Sequence, residues 1–366
     1  MTATTTDQKL FAKPLISLCY IRSFHYFLEY QALQTLSALL TKSNLRSARF
    51  SRENLNLFSR EIRELFETDI QSILNTELSP RLLWTESPIS HLQRLPKIVS
   101  DGISLSLRRK RQRAHEFSEK ARSALDDLPE YYRRNFHFQT DGYLSERSAE
   151  LYDHQVELLF AGAADAMRRI ILPDVVHALH SQIDHLQGPT RFQPALLELG
   201  CGTGAMTKNI RLTFPHARIV ATDLSAPYLE MAQRRFSKNS FLRKNNAEFI
   251  EANATQLPFA DNSFDAVYSV FLFHELPLEA RIETIREARR VLKPGGVFFY
   301  VDSLQLGDKP HLDHVLKNFP RDFHEPFYMN YINTPMRDLV ETAGFELSAT
   351  RFGFLAKGEV YLGRKM

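Results

Sequence analysis

The chain is 366 residues long, with 43% hydrophobic, 24% charged and 11% aromatic residues and a formal net charge of +3. This is a globular composition with room for one large or two ordinary domains, and it excludes a disordered, collagen-like or membrane-spanning chain. Only two cysteines occur, Cys19 and Cys201, without a CxxC or Cys/His spacing, which excludes a disulfide framework and fits a reducing compartment.

No run approaches the roughly 20 apolar residues of a spanning helix. The N-terminus lacks a basic stretch followed by an apolar run, so a cytoplasmic location is expected; its hydroxyl-rich, acid-poor start leaves an organellar transit peptide as the alternative. Residues 1–135 hold 21 Lys/Arg against 15 Asp/Glu and the remainder 25 against 28, which suggests two parts with different tasks.

The first 135 residues read as one-sided helices. Apolar residues recur at three- and four-residue steps through Phe24, Phe27, Leu28, Leu36, Leu39 and Leu40, and again through Phe58, Ile62, Leu65, Ile70 and Ile73. Both stripes are expected to pack into a core, a membrane-surface face being the alternative. Ser79-Pro80, Ser87-Pro88 and Leu95-Pro96 are expected breaks, because proline pushes its predecessor out of the helical region. The basic run Arg108-Arg109-Lys110-Arg111-Gln112-Arg113 reads as a solvated helix face, with phosphate or anionic-lipid contact as the alternative.

A long helical pattern is expected from about residue 145 through Leu151, Leu158, Met167 and Ile170 to a break at Pro173. A further helix carries Val175, Val176, Leu179, Ile183 and Leu186 on one face. From Ala195 short apolar runs alternate with helical patterns, the mark of βαβ units and a parallel sheet. The expected strands are 195–199, 218–222, 248–252, 266–271 and 297–302, with 345–351 and 359–363 closing the sheet.

The chemistry-bearing motifs lie at the ends of these strands. Glu198-Leu199-Gly200-Cys201-Gly202-Thr203-Gly204 follows the first, where glycines let a ligand reach the backbone and the next helix offers unpaired N–H groups. A nucleoside-type cofactor is the expected ligand. Taken alone, the loop also satisfies the looser dinucleotide pattern G-x-G-x-x-A. Asp223 ends the second strand, where a carboxylate can accept both hydroxyls of a ribose, and Leu224 can lie on an adenine face; Ser225 caps a helix with Pro227 in its first turn. Asn253-Ala254 with Leu257-Pro258-Phe259, then Phe264-Asp265, and finally Leu292-Lys293-Pro294-Gly295-Gly296 complete an ordered series.

That series resembles the class I S-adenosylmethionine-dependent methyltransferases, and most nearly the small-molecule branch that includes the ubiquinone/menaquinone-type C-methyltransferases. The resemblance covers roughly residues 195–363. It implies an α/β fold, a Rossmann-like seven-stranded sheet with helices on both faces and an antiparallel last strand, here preceded by an all-helical N-terminal region. It also implies S-adenosylmethionine as cofactor, held by Glu198, Gly200, Cys201, Gly202, Gly204, Asp223, Leu224, Asn253, Ala254 and Phe271. Asn253 departs from the usual aspartate at its position.

The resemblance places Val270 to Leu276 beside the transferred methyl, which makes His274 a candidate base or orienting group. It also directs attention to two segments for the acceptor: 135–144, with His137 and Tyr143, and 304–333, with Tyr328 and Tyr331. The histidines of the second segment lack a metal-ligand pattern, and no metal is expected. The expected partner is a small organic acceptor, hydrophobic or aromatic. Nucleic acid is not expected, since neither an Asn/Asp/Ser-Pro-Pro-aromatic run nor a Pro-Cys nucleophile occurs. Peripheral membrane contact stays open and oligomeric state is not legible. The expected division is a helical accessory or cap region at 1–135, a linker with helices at 136–194 and the methyltransferase domain at 195–366. The rival readings are a non-catalytic interaction protein that keeps the fold and, third, an NAD(P)-dependent dehydrogenase.

Overall fold

A computed structural model describes residues 5–41, 52–76, 78–83, 88–111, 116–123, 125–184, 193–244 and 246–364. Gln112 and Arg113 of the basic run, and Leu186 of the further expected helix, lie outside them. The N-terminal half is helical: α1 (Thr5–Thr41), α2 (Arg52–Asn75), α3 (Pro88–Arg111), α4 (Glu119–Arg122), α5 (Glu146–Leu159), α6 (Ala164–Arg169) and α7 (Leu172–Asp184).

The α2 stripe packs as its periodicity predicts, with Ile62, Leu65, Ile70 and Ile73 all buried. The α1 stripe does not. Phe24, Leu28, Leu36 and Leu39 face outward with Leu18 and Ile21, while Ser23, Tyr26, Ser37 and Ala38 form the packed face. Two further expectations are corrected. Pro96 sits inside α3 without ending it, because packing of α3 against α1 and α5 offsets the lost backbone bond, a cost of about 3 kcal/mol. The helical run from 145 breaks at Ala161 and Gly162, both at positive φ, and Pro173 lies in the first turn of α7, where its missing N–H costs nothing. No helix among the described residues is long and apolar enough to cross a membrane.

The second half alternates β1 (Ala195–Leu199), α8 (Ala205–Thr213), β2 (Arg218–Asp223), α9 (Ala226–Lys238), α10 (Ser240–Lys244), β3 (Glu248–Glu251), β4 (Phe264–Val270), α11 (Leu278–Val291) and β5 (Leu292–Ser303). It then runs through α12 (Asp313–Asp322), α13 (Tyr328–Asn333), α14 (Met336–Thr342), β6 (Phe345–Phe352) and β7 (Ala356–Gly363). The sheet has seven strands in the order β3-β2-β1-β4-β5-β7-β6, with β1 to β5 parallel and β7 antiparallel to both of its neighbours. The expected fold class is therefore the observed one. Strand order reverses between β1 and β4, the point at which open α/β sheets leave a crevice beyond their carboxyl ends.

Alternate residues of each strand serve opposite faces. Leu196, Tyr268, Val297 and Phe299 join one buried cluster, which continues through Met167, Leu172 and Val175 to Ile62, Leu65 and Phe66 of α2. Leu197, Val267, Phe298 and Tyr300 join the other, under α11, α13 and α14. The helical half is thus bonded to the sheet by a shared core. Its seat is partly made of glycine: a Cβ on Gly358 of β7 would lie 2.8 Å from Ile171, and one on Gly353 would lie 3.0 Å from Ile170. Arg351 of β6 closes the same seam by donating from Nε and Nη2 to the Asp174 carboxylate at 2.9 Å.

Candidate functional site

A cleft opens at the carboxyl ends of β1, β2 and β4. One wall is the glycine loop. Gly200, Gly202 and Gly204 all have positive φ, which side-chain-bearing residues rarely adopt. A Cβ on Gly200 would meet Leu272 at 3.0 Å, while one on Gly204 would meet Ala232 of α9 at 3.0 Å. Gly200 and Gly202 line the cleft with Cys201, whereas Gly204 serves the packing of α8 on α9. Thr203 ties the loop to the helical half, its hydroxyl donating to Asp153 on α5 at 2.8 Å.

Asp223 stands at the end of β2 on the floor of the cleft. Its carboxylate accepts from the Gly202 N–H at 2.7 Å and the Ser225 N–H at 2.9 Å, so one side chain fixes both the glycine loop and the start of α9. Burial pushes its carboxyl up to about 6, against the downward pull of those two donors. Leu224, Ala252, Ala254 and Phe271 complete this part of the lining. Phe271 holds a positive φ of 56° and stacks on Phe160 at 6.2 Å. Glu198 also reaches the wall, but one of its oxygens is committed to the Thr207 hydroxyl (2.6 Å) and the Tyr268 hydroxyl (2.9 Å), and burial pushes its carboxyl up to about 7. Asn253 does not line the cleft; its Oδ1 accepts from the Thr255 N–H at 3.0 Å and from the Tyr131 hydroxyl at 3.4 Å.

The opposite wall comes from the end of the expected accessory region and from the segment expected to be a linker. Tyr131, Tyr132, Phe136, Tyr143 and Tyr152 face the cleft beside Tyr228 of α9. Tyr143 stacks on Phe136 at 5.3 Å, its carbonyl accepts from the Ser225 hydroxyl at 2.5 Å, and its own hydroxyl donates to Glu275 at 2.5 Å. Gly142 makes the turn that presents it: φ is +52°, and a Cβ there would lie 2.6 Å from the Arg134 carbonyl oxygen. Gly142→Ala should therefore lower stability by about 1–3 kcal/mol and weaken any ligand held against Tyr143, as thermal unfolding with and without ligand would show.

Behind this wall lies a group of ionisable side chains. Glu275 lines the cleft; His274 does not. His274 is buried with Nδ1 2.6 Å from Asp302 Oδ1; burial alone would lower its pKa, but the Asp302 carboxylate outweighs it and raises it to about 9. His137 lies with Nδ1 2.8 Å from buried Glu325 and Nε2 3.7 Å from Glu275, and it too is raised against the effect of burial, to about 10. Both imidazoles are cations at neutral pH, so neither accepts a proton there. The candidate base moves from His274 to its neighbour Glu275, and His274 keeps an orienting place. Tyr328 and Tyr331 stand behind His274, with ring centroids at 6.0 and 6.2 Å, and both hydroxyls engage Ser303 rather than the cleft. His311 is turned to Glu61 of α2 at 2.7 Å.

Sequence reasoning missed Tyr131, Tyr132, Tyr152, Arg168, Tyr228 and Glu275. The Tyr131-Tyr132 pair just after Pro129 was the one local signal.

A family model described as a methyltransferase domain matches residues 196–296, the stretch from β1 into β5. Over those residues the chain is similar to a methyltransferase domain, and the likeness extends to curated methyltransferases. It is 33% identical over 122 residues to the ubiquinone/menaquinone biosynthesis C-methyltransferase UbiE of Hahella chejuensis, covering 33% of this chain and 47% of that protein. It is 33% identical over 126 residues to the fatty-acid O-methyltransferase of Mycolicibacterium smegmatis, covering 34% and 43%. The demethylmenaquinone methyltransferase of Thermotoga maritima is 27% identical over 239 residues, covering 60% of this chain and 93% of that one. The chain thus spans a little under half the length of the first two.

The cleft fits the cofactor of such a domain on three counts. Its loop has the backbone that only glycine adopts freely, a carboxylate stands at the floor, and the walls between them are apolar and aromatic.

Proposed function

We propose that the chain holds S-adenosylmethionine in this cleft and transfers its methyl group to a small organic acceptor, hydrophobic or aromatic. The observation that carries the proposal is the meeting of the glycine loop and Asp223 with the tyrosine-rich wall in a single cleft. A sulfonium brings an already activated methyl group, so the residues here have mainly to position the acceptor and exclude water. In this reading Gly200, Gly202, Asp223, Leu224 and Ala254 hold the cofactor. Tyr132, Phe136, Tyr143 and Tyr152 offer flat apolar faces to the acceptor, and desolvation keeps the phenols of the three tyrosines neutral. Glu275 receives a proton where the acceptor must lose one. The names of the two quinone methyltransferases and the fatty-acid O-methyltransferase support a hydrophobic acceptor.

Calorimetric titration with S-adenosylmethionine and with its demethylated product tests the reading, and absence of heat with both would overturn it. Asp223→Ala should weaken both ligands roughly 10- to 100-fold, the worth of hydrogen bonds to a charged group. Because ribose hydroxyls need the ionised carboxylate, affinity should fall as pH drops through about 6 and level off above it. An affinity independent of pH between 5 and 7 would place the ribose elsewhere.

A further inference from the structure

Three helices of the N-terminal half bring together His25 and Glu29 of α1, His91 of α3 and His154 of α5. His91 Nε2 lies 3.0 Å from Glu29 Oε2 and 3.2 Å from His25 Nε2, and His25 Nε2 lies 3.8 Å from the same carboxylate oxygen. A proton serves this triangle only when it is shared, the His91 Nε2–H splitting between Glu29 and a His25 lone pair. An imidazole nitrogen has a single in-plane direction, filled by either a proton or a lone pair. If His91 Nε2 donates to Glu29, it has no lone pair for His25; if it accepts from His25, its lone pair faces the carboxylate.

A small cation among the three atoms resolves the conflict. Ligand bonds of about 2.0–2.2 Å place neighbouring ligand atoms roughly 2.9–3.6 Å apart in octahedral or tetrahedral geometry. Two of the observed separations, 3.0 and 3.2 Å, fall within that interval, and the third, 3.8 Å, lies just beyond its upper end.

The surroundings support the same conclusion. His154 is buried, and its Nε2 lies 2.7 Å from the other oxygen of Glu29, which orients the carboxylate as the outer shell of a metal ligand does. The His154 ring stacks on His91 at 4.3 Å, and Tyr26 packs edge-on against both rings, so the helices hold the arrangement without slack. His25 remains 57% exposed, which leaves one side of the triangle open to solvent.

We propose that His25, Glu29 and His91 form a binding site for a divalent first-row transition-metal ion, with His154 as the residue that positions Glu29. Two imidazoles and one carboxylate disfavour magnesium and calcium and suit zinc, cobalt or iron. The ion would pin α1 to α3 and, through His154, to α5. No metal was expected from the sequence because the ligands are spread over 66 positions, and only the His25/Glu29 pair, four residues apart on α1, is local.

The full chain, stripped with chelator and dialysed, should be titrated with zinc alone and with cobalt alone. One equivalent assignable to this site should bind, raise the thermal unfolding temperature and give cobalt visible bands of nitrogen–oxygen coordination. His25→Ala, at an exposed position that leaves the helix core intact, and Glu29→Gln should each weaken that equivalent by about 100-fold or more. A second cluster, His137 with Glu275 and Glu325, is the competing place for a zinc ion, and Glu325→Gln separates the two. Zinc binding unchanged in both His25→Ala and Glu29→Gln, or lost only in Glu325→Gln, would overturn the proposal, as would no stoichiometric binding.

Discussion

Asp69→Ala should lower the unfolding free energy by about 3–5 kcal/mol, the cost of leaving one member of a buried ion pair without its partner. Arg169 of α6 donates from Nε to Asp69 Oδ1 at 3.0 Å and from Nη2 to Oδ2 at 2.5 Å, and its Nη1 reaches the Leu82 carbonyl at 3.0 Å. Both side chains are almost fully buried, and the surrounding cluster includes Phe66, Leu82 and Ile171. Without Asp69 the guanidinium stays charged, since even in water it gives up its proton only at extreme pH, and it keeps one carbonyl in place of three bonds. Urea unfolding of the variant reads the loss directly. Replacing both residues with leucine and methionine should recover much of it, because a filled apolar site needs no counter-charge. A loss below about 1 kcal/mol in the single variant would mean that water reaches the seam between α2 and α6.

Glu275→Gln should leave cofactor affinity within a few-fold of the parent and lower methyl transfer by about 10²–10⁴-fold for an acceptor that must lose a proton, the usual contribution of a positioned base. The carboxylate lines the cleft, accepts from Tyr143 at 2.5 Å, and has His137 Nε2 at 3.7 Å and His274 Nε2 at 4.0 Å. Glutamine keeps the shape and the hydrogen bond but not the basicity. Incubation with isotopically labelled methyl donor and a cell extract, followed by mass spectrometry of the labelled product, supplies the assay. The flanking cations give a second reading. His274 loses its proton only above about 9, so the parent rate should change on that alkaline side. Asp302→Asn removes the charge that raises His274, and the limb should then move toward lower pH. A limb that stays in place would detach His274 from the reaction.

The sheet was readable because strand alternation and strand-end motifs are local: all seven strands lie within a few residues of their expected bounds, and Asp223 stands where the second strand ends. What failed was long-range. Periodicity shows that α1 has an apolar row at Phe24, Leu28 and Leu39, but not that Tyr26 and the small residues Ser23, Ser37 and Ala38 would form its packed face instead. Pro96 obeys a local rule that tertiary packing overrides. His274 carried the conspicuous chemistry in its segment, yet the 3-10 turn Phe273–Glu275 sends its imidazole to Asp302 and turns Glu275 toward the cleft. The tyrosine wall was illegible for the same reason. Tyr132 and Tyr143 meet the glycine loop across about 60 residues, and no spacing rule spans such a distance.

The glycine seat at Gly353 and Gly358 has a consequence for the order in which the protein is made. The surface that receives Ile170 and Ile171 belongs to the hairpin of β6 and β7, and β7 is inserted between β5 and β6 after the other six strands of the sheet are made. At about 5–20 residues per second, the helical half leaves the ribosome many seconds before its resting place exists. During that interval the side of Ile170 and Ile171 that later meets Gly353 and Gly358 lacks its cover. Completion of β7 then becomes the event that lets Ile170 and Ile171 settle, so side chains made early wait for partners that lie far later in the chain.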